Sequence, residues 1–260
     1  MNILILYAHP EPRSLNGALK DLAVETLTAQ GHAVQVSDLY AMKWKAIADG
    51  DDFPDRDAVQ RLVYWRESRD GPLSPDVMAE QRKLLWADAV ILQFPLWWFS
   101  VPAILKGWFE RVFTHGFAYG VGQHSGERWG DRYGEGTLAG KRALVSVTIG
   151  GRAPHYSPRG VNGALEDVLF PLQHGALFYP GMSVLEPFVL YQADRLTPEG
   201  WPAVAEDFRA RLNGLFTDAP IPFRRQNGGH YDSRQVLKPG LGVGGGSRIH
   251  LLQPGDPPQN

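Results

Sequence analysis

One stretch limits the folds open to this chain more than any other. It is the apolar run Ala89-Val90-Ile91-Leu92-Gln93-Phe94, followed at once by Pro95. The run reads as a buried strand, and Pro95 ends it because proline has no N–H for a sheet ladder. Behind it lies Leu96-Trp97-Trp98-Phe99-Ser100, a short loop crowded with aromatics. Ser100 is placed to cap a helix in which Val101, Ile104, Leu105 and Trp108 recur at helical spacing. A loop that leaves the carboxyl end of a strand and opens a helix is where open α/β sheets bind ligands. Three adjacent aromatics in such a loop call for a flat object to face.

The chain begins in the same idiom. Ile3 to Tyr7 is a short apolar strand, and Leu15, Leu19, Leu22, Ala23 and Leu27 share one face of a helix that Gly31 ends. Ala33 to Val36 is a second strand. A β-loop-α-β start predicts two parallel strands joined by a right-handed crossover. The loop between strand and helix carries His9, Ser14 and Asn16. With the free N–H groups of the helix start, these residues make a phosphate site that needs no lysine. The same residues also describe an ordinary serine cap, and both readings stand at this point. The spacing is not G-x-G-x-x-G, so a Rossmann dinucleotide site is not supported.

The remaining segments read less evenly. Lys43 to Arg69 is polar, with a helical segment near Ala58 to Trp65, and Asp49-Gly50-Asp51-Asp52 reads as solvated surface without calcium-loop spacing. Ser74-Pro75-Asp76 starts a helix that runs to Trp86. Gly116 to Gly140 is a glycine-rich excursion bearing Phe117, Tyr119, Trp129 and Tyr133, long for a plain connector. Lys141 to Ile149 is a strand ending in Gly150-Gly151, which permits a ligand to approach the backbone closely. Val161 to Leu177 reads as a helix bent at Pro171, Met182 to Leu190 as a last strand, and Trp201 to Phe216 as an amphipathic helix. The composition then shifts. Residues 1–218 form the expected domain, and residues 219–260 an extension rich in proline and glycine, laid against that domain or a dimer partner.

Composition excludes several classes. A net charge of −2 gives no reason to expect nucleic acid or a membrane surface as partner. No apolar run approaches the ~20 residues that span a bilayer. Met1 to Leu6 lacks the basic flank of a secretion signal, and a cytoplasmic location is expected. With no cysteine, thiol redox chemistry, disulfides and sulfur-ligated zinc are absent together.

Several segments, in order, resemble the NAD(P)H:quinone oxidoreductases of the DT-diaphorase type. They are Tyr7-Ala8-His9 with Ser14-Leu15-Asn16-Gly17, then Ser37 to Met42, Leu73 to Asp76, Gln93 to Arg111, Thr148 to Gly151 and Val184 to Pro187. The resemblance covers about residues 1–215. It implies a flavodoxin-like fold, a doubly wound parallel sheet of five strands with helices on both faces. It also implies a tightly held FAD, FMN being the lesser alternative, a homodimer with sites at its interface, and a ping-pong cycle from NAD(P)H to a quinone. Carried over by position, His9, Ser14, Leu15, Asn16 and Ala18 hold the FAD phosphates. Pro95, Leu96, Trp97, Trp98 and Phe99 run along the flavin, and Thr148, Ile149, Gly150 and Gly151 close its other edge. Tyr156 approaches flavin and substrate, while Tyr119 and Tyr179 reach into the partner's site. Trp98, Phe99 and Tyr119 stack the planar substrate, and backbone N–H groups at Gly150 and Gly151 stabilise negative charge on the reduced ring.

The chain also departs from the family. Mammalian members carry a histidine where this chain has Asn162, and an amide cannot titrate near neutral pH. Tyr156 or solvent must then supply the proton. Val121 replaces a pocket tyrosine, Trp97 a glutamine and Tyr179 a phenylalanine. Some relatives hold zinc through two histidines and a cysteine; here His174 alone is in place, Phe178 fills the second position, and no zinc is expected. Taken without the resemblance, Trp97 to Phe99 are equally well core aromatics, and Gly150-Gly151 an ordinary turn. Two rivals remain: an FMN-dependent azo, nitro or flavin reductase, and a flavin-binding regulatory subunit of an ion-efflux system.

Overall fold

Strands that are apolar at odd and even positions alike need cover on both faces. Three such strands form the middle of the sheet in the computed structural model, which describes residues 1–126, 128–242 and 244–259. They are β1 (Asn2–Tyr7), β3 (Ala89–Pro95) and β4 (Arg142–Ile149). The edge strand β2 (Ala33–Asp38) is only half covered and alternates accordingly. The order is β2-β1-β3-β4-β5 and every pairing is parallel. The fifth position is filled twice: β5 (Ser183–Val184) pairs with the start of β4, and β6 (Phe188–Tyr191) with its end. The single last strand expected over Met182 to Leu190 is therefore two. Pro187, which has no ladder donor, lies at the break.

The helices are α1 (Leu15–Ala29), α2 (Tyr64–Asp70), α3 (Pro75–Trp86), α4 (Ala103–Val112), α5 (Leu165–Phe170) and α6 (Trp201–Asn213). Side chains alternate across the sheet. Ile3, Ile5, Ala89, Ile91 and Leu144 pack under α1 and α6, while Leu4, Leu6, Val90, Leu92 and Val145 pack under α3, α4 and α5. The order reverses between β1 and β3, so both strands point their carboxyl ends at one crevice.

Four sequence expectations need correction. The helix placed near Ala58 to Trp65 forms instead at Tyr64–Asp70, because the Asp57 carboxylate accepts from Val59 N at 2.9 Å and turns the chain locally. Ser100 caps nothing: α4 starts after Pro102, and a residue preceding proline is kept out of helical geometry. The helix expected from Val161 begins at Leu165 and changes at Pro171 to π-helical winding over Pro171–Phe178. Proline brings no N–H to the helical ladder. Within the acidic run, Asp52 is buried rather than solvated.

Asp52 belongs to an ion cluster around Arg111, which is 2% exposed. Arg111 Nε donates to Asp52 Oδ1 at 2.8 Å, its NH1 lies 2.7 Å from Asp76 Oδ2, and its guanidinium sits 4.5 Å from the Trp44 ring centre. Burial alone would raise the Asp76 carboxyl, but Arg111 and Ser74 hold it below the usual range. The cluster ties residues 44–53 and the start of α3 to α4. The C-terminal segment is anchored in a similar way. Arg224 is buried, lies 2.8 Å from Asp256, and donates from Nε to the Ile249 carbonyl at 2.9 Å. His250 stacks on Phe170, which also stacks on His174 at 4.6 Å. Tyr133, Phe178 and Phe223 complete the aromatic shell around His174.

Two expectations follow. Arg111→Ala leaves the buried Asp52 with Lys45, 4.0 Å away, as its remaining cation and should lower stability by ~3–5 kcal/mol in urea unfolding. The exposed pair of Arg234 should be worth under ~1 kcal/mol, and equal losses at the two sites would contradict the account. Burial pushes the His174 imidazole from 6.5 down to about 4, so the unfolded chain binds the proton more readily. Stability should therefore fall, by up to ~1.4 kcal/mol per pH unit, as pH drops from 6.5 towards 4. His174→Phe should flatten that slope, and an unchanged slope would refute the assignment.

Candidate active site

The crevice at the carboxyl ends of β1, β3 and β4 is built on buried hydrogen bonds. Gln93 Nε2 donates to Asn16 Oδ1 at 2.8 Å, and Asn16 Nδ2 donates to Thr148 Oγ1 at 2.9 Å. Ser146 Oγ donates to Gln93 Oε1 at 2.6 Å. Four short polar side chains thus lock the start of α1 to β3 and β4. Both ends of the Asn16 carboxamide and the Thr148 hydroxyl are used inside the protein, so what they offer a ligand is backbone and shape.

Ser14 is the N-cap of α1, its Oγ accepting from Gly17 N at 3.2 Å, and Ala18 N donates to the Ser14 carbonyl. The cap reading and the phosphate reading are compatible, since the N–H groups of Leu15 and Asn16 bond to nothing in the described chain. A Cβ on Gly17 would lie 1.9 Å from the Pro12 carbonyl oxygen, so only glycine lets residues 10–13 fold this tightly over the helix start. His9 stands beside them, with Nδ1 3.1 Å from Glu11 N and its ring 6.0 Å from Trp97.

The strand β3 continues one residue further than its sequence suggests, through Pro95 opposite Thr148. Proline is tolerated there because β1 has already ended on its other side. Leu96 N then donates to the Thr148 carbonyl at 2.8 Å. Trp97 and Ser100 exchange both backbone hydrogen bonds at 3.0 Å, closing a tight turn around Trp98 and Phe99. Their φ values are 51° and 60°, a left-handed pair normally given to glycine or asparagine. Each such residue costs about 1–2 kcal/mol. Trp98 is also 95% exposed, so it does not repay that strain by packing within the chain, and Phe99, 52% exposed beside Tyr156, repays it only in part. They are not core aromatics.

Across the crevice, Ile149 is buried and Gly150 and Gly151 emerge from β4. A Cβ on Gly150 would meet nothing closer than Asp194 at 3.9 Å, whereas one on Gly151 would press on Tyr156 at 3.0 Å. The N–H groups of both glycines donate to no described group. Tyr156 lies between Phe99, 6.5 Å between ring centres, and Tyr191, at 6.0 Å. Asn162 sits on the same loop, held by its N–H to the His155 carbonyl.

The structure does not bring Tyr119 and Tyr179 to this crevice. Tyr119 packs edge-on to His115, and burial pushes its phenol up. Tyr179 receives Arg132 NH1 at 3.2 Å and packs edge-on to Tyr133. No described ring contact links either tyrosine to Trp97, Trp98, Phe99 or Tyr156. The sequence reading overlooked Gln93 and Ser146 as site residues, although a polar residue inside an apolar strand was the available signal.

Comparisons with known proteins show what the chain is similar to. A family model described as Flavodoxin-like fold matches residues 1–212. The Penicillium crustosum protein named Ribosyldihydronicotinamide dehydrogenase-like protein traD is 55% identical over 235 residues, 89% of this chain and 87% of that one. Human ribosyldihydronicotinamide dehydrogenase [quinone] is 41% identical over 225 residues, 85% of this chain and 94% of that one. A crystal structure of a candidate quinone reductase from Klebsiella pneumoniae superposes with a TM-score of 0.94 at 53% identity, covering 97% of this chain and 100% of that one.

The strain in the turn is itself measurable. Without any ligand, Trp98→Gly should raise stability by ~1 kcal/mol in thermal unfolding, because an exposed side chain is lost and a left-handed residue relaxed. A destabilised variant would show that the indole packs usefully in the free protein.

Proposed function

This chain belongs to the NAD(P)H:quinone oxidoreductase family, and from that premise we propose that it holds FAD and reduces quinones, or similar planar acceptors, by two electrons from NAD(P)H. One observation carries the reading. A strained, solvent-facing aromatic turn stands across from two glycine amides that bind nothing in the chain. Backbone strain and exposed aromatics collect where a ligand covers them. The residues present fit a flavin: a flat apolar platform, an unencumbered glycine edge and a helix start with free amides.

Bound flavin supplies the hydride chemistry. The chain supplies position and charge. The free amides of α1, with His9 and Ser14, would hold the phosphates. Pro95 to Phe99 would run along the ring and its side chain, with Thr148 and Ile149 below the other edge. The Gly150 and Gly151 N–H groups, which bond to nothing in the described chain, would donate to the flavin and stabilise charge on it. Trp98 and Phe99, with Tyr119 and Tyr179 of the partner subunit, would form one flat slot. A single slot visited by nicotinamide and acceptor in turn gives a ping-pong cycle and requires a homodimer. Tyr156 would donate the proton that a family histidine donates elsewhere, and Asn162 would orient by hydrogen bonding alone.

The purified protein should be yellow and oxidise NAD(P)H only when a quinone such as menadione is present. Heating should release FAD; release of FMN would move the chain to the azo and nitro reductase reading. A yellow protein without turnover would favour the efflux-subunit reading. Trp98→Ala should bind flavin about 2- to 10-fold more weakly and lose turnover with it, the range expected of one ring stack. Unchanged flavin content and rate in that variant would remove the turn from the site.

A further inference from the structure

A separate cavity has Tyr156, but not Phe99, in its wall. It measures about 610 Å³ and is roofed by residues 247–253 of the C-terminal segment. Its floor is apolar, with Leu165, Leu169 and Phe170 below and Pro187 and Phe223 beside them. Its size is that of pockets that enclose a small organic molecule. At its wall stands Gln173, 5% exposed, whose carboxamide makes no hydrogen bond within the described chain and whose Nε2 is buried without a partner. Buried amides nearly always have a partner, and an unpaired one points to a group that the protein alone does not provide. At the rim, Arg248 lies 3.6 Å from Glu166, and Glu186 is exposed. The one cation is therefore matched and a carboxylate is left over, which disfavours an anionic guest.

We propose that this cavity is a second small-molecule site, taking a neutral, flat, largely apolar molecule whose carbonyl would accept from Gln173 once the carboxamide turns to bring Nε2, now without accessible surface, to the cavity. It is separate from the flavin crevice but shares Tyr156 with it, so an occupant touches the ring that also faces Phe99. The site depends on α5, the π-helical segment and the C-terminal strap. It does not depend on the redox reading, and its test uses no turnover.

The test is a fluorescence titration of the purified full-length protein with Nile red, which is neutral, planar and carbonyl-bearing and is excited outside the flavin bands. One molecule should bind per chain, unaffected by excess 1,4-benzoquinone and by Trp98→Ala. Gln173→Leu should weaken binding about fivefold, the effect of losing one hydrogen bond. Ser247→Trp, which plugs the mouth, should abolish it. If Ser247→Trp disturbs the strap, Gln173→Leu decides alone, provided its melting temperature matches the parent. No binding by the parent would overturn the proposal. So would an affinity that Gln173→Leu leaves unchanged, or binding that benzoquinone or Trp98→Ala removes, since the dye would then sit away from Gln173.

Discussion

The buried bond from Gln93 to Asn16, with Ser146 and Thr148 on either side of it, is the contact on which the rest of the site depends. It joins the first turn of α1 to the ends of β3 and β4. Each of these side chains would be costly if left unpaired, so the four hold one arrangement rather than several. That arrangement sets where the α1 amides point relative to the aromatic turn and the glycine edge. The three parts lie on three different chain segments, and a slip of any one would separate groups that the proposed flavin would have to meet together.

The turn at Trp97–Ser100 shows what such anchoring permits. Left-handed tryptophan and phenylalanine persist only when their surroundings fix them. Here the Leu96 N–H to Thr148 bond fixes one side and Pro102 with α4 the other. The strain is local, while the stability that tolerates it comes from elsewhere: two apolar layers and the Arg111 cluster. This separation between a rigid body and a strained, exposed edge is common where binding residues sit on loops over a sheet.

Much of this was legible beforehand. Continuous apolar strands, the periodic face of α1 and the Ser74-Pro75 start of α3 each carry a local signal, and each lies where it was placed. Two of the errors have local causes too. Pro102 overrode Ser100 as the marker of a helix start, and the Asp57 carboxylate turned a segment whose spacing suggested helix. Asp52 is invisible as a core residue because its partner Arg111 lies 59 positions away. Long-range pairing of that kind has no periodicity to read. The candidate site rests mainly on family motifs. Composition alone did not separate an exposed aromatic turn from a core one, since that depends on two φ angles that favour glycine.

The most direct test is a crystal structure of the protein grown with FAD. The flavin ring should lie along Leu96 to Phe99, with the N–H groups of Gly150 and Gly151 within hydrogen-bond distance of its pyrimidine edge and the phosphates at the start of α1. A flavin bound elsewhere, or a crevice that stays closed by the protein's own side chains at saturating FAD, would contradict the proposed site.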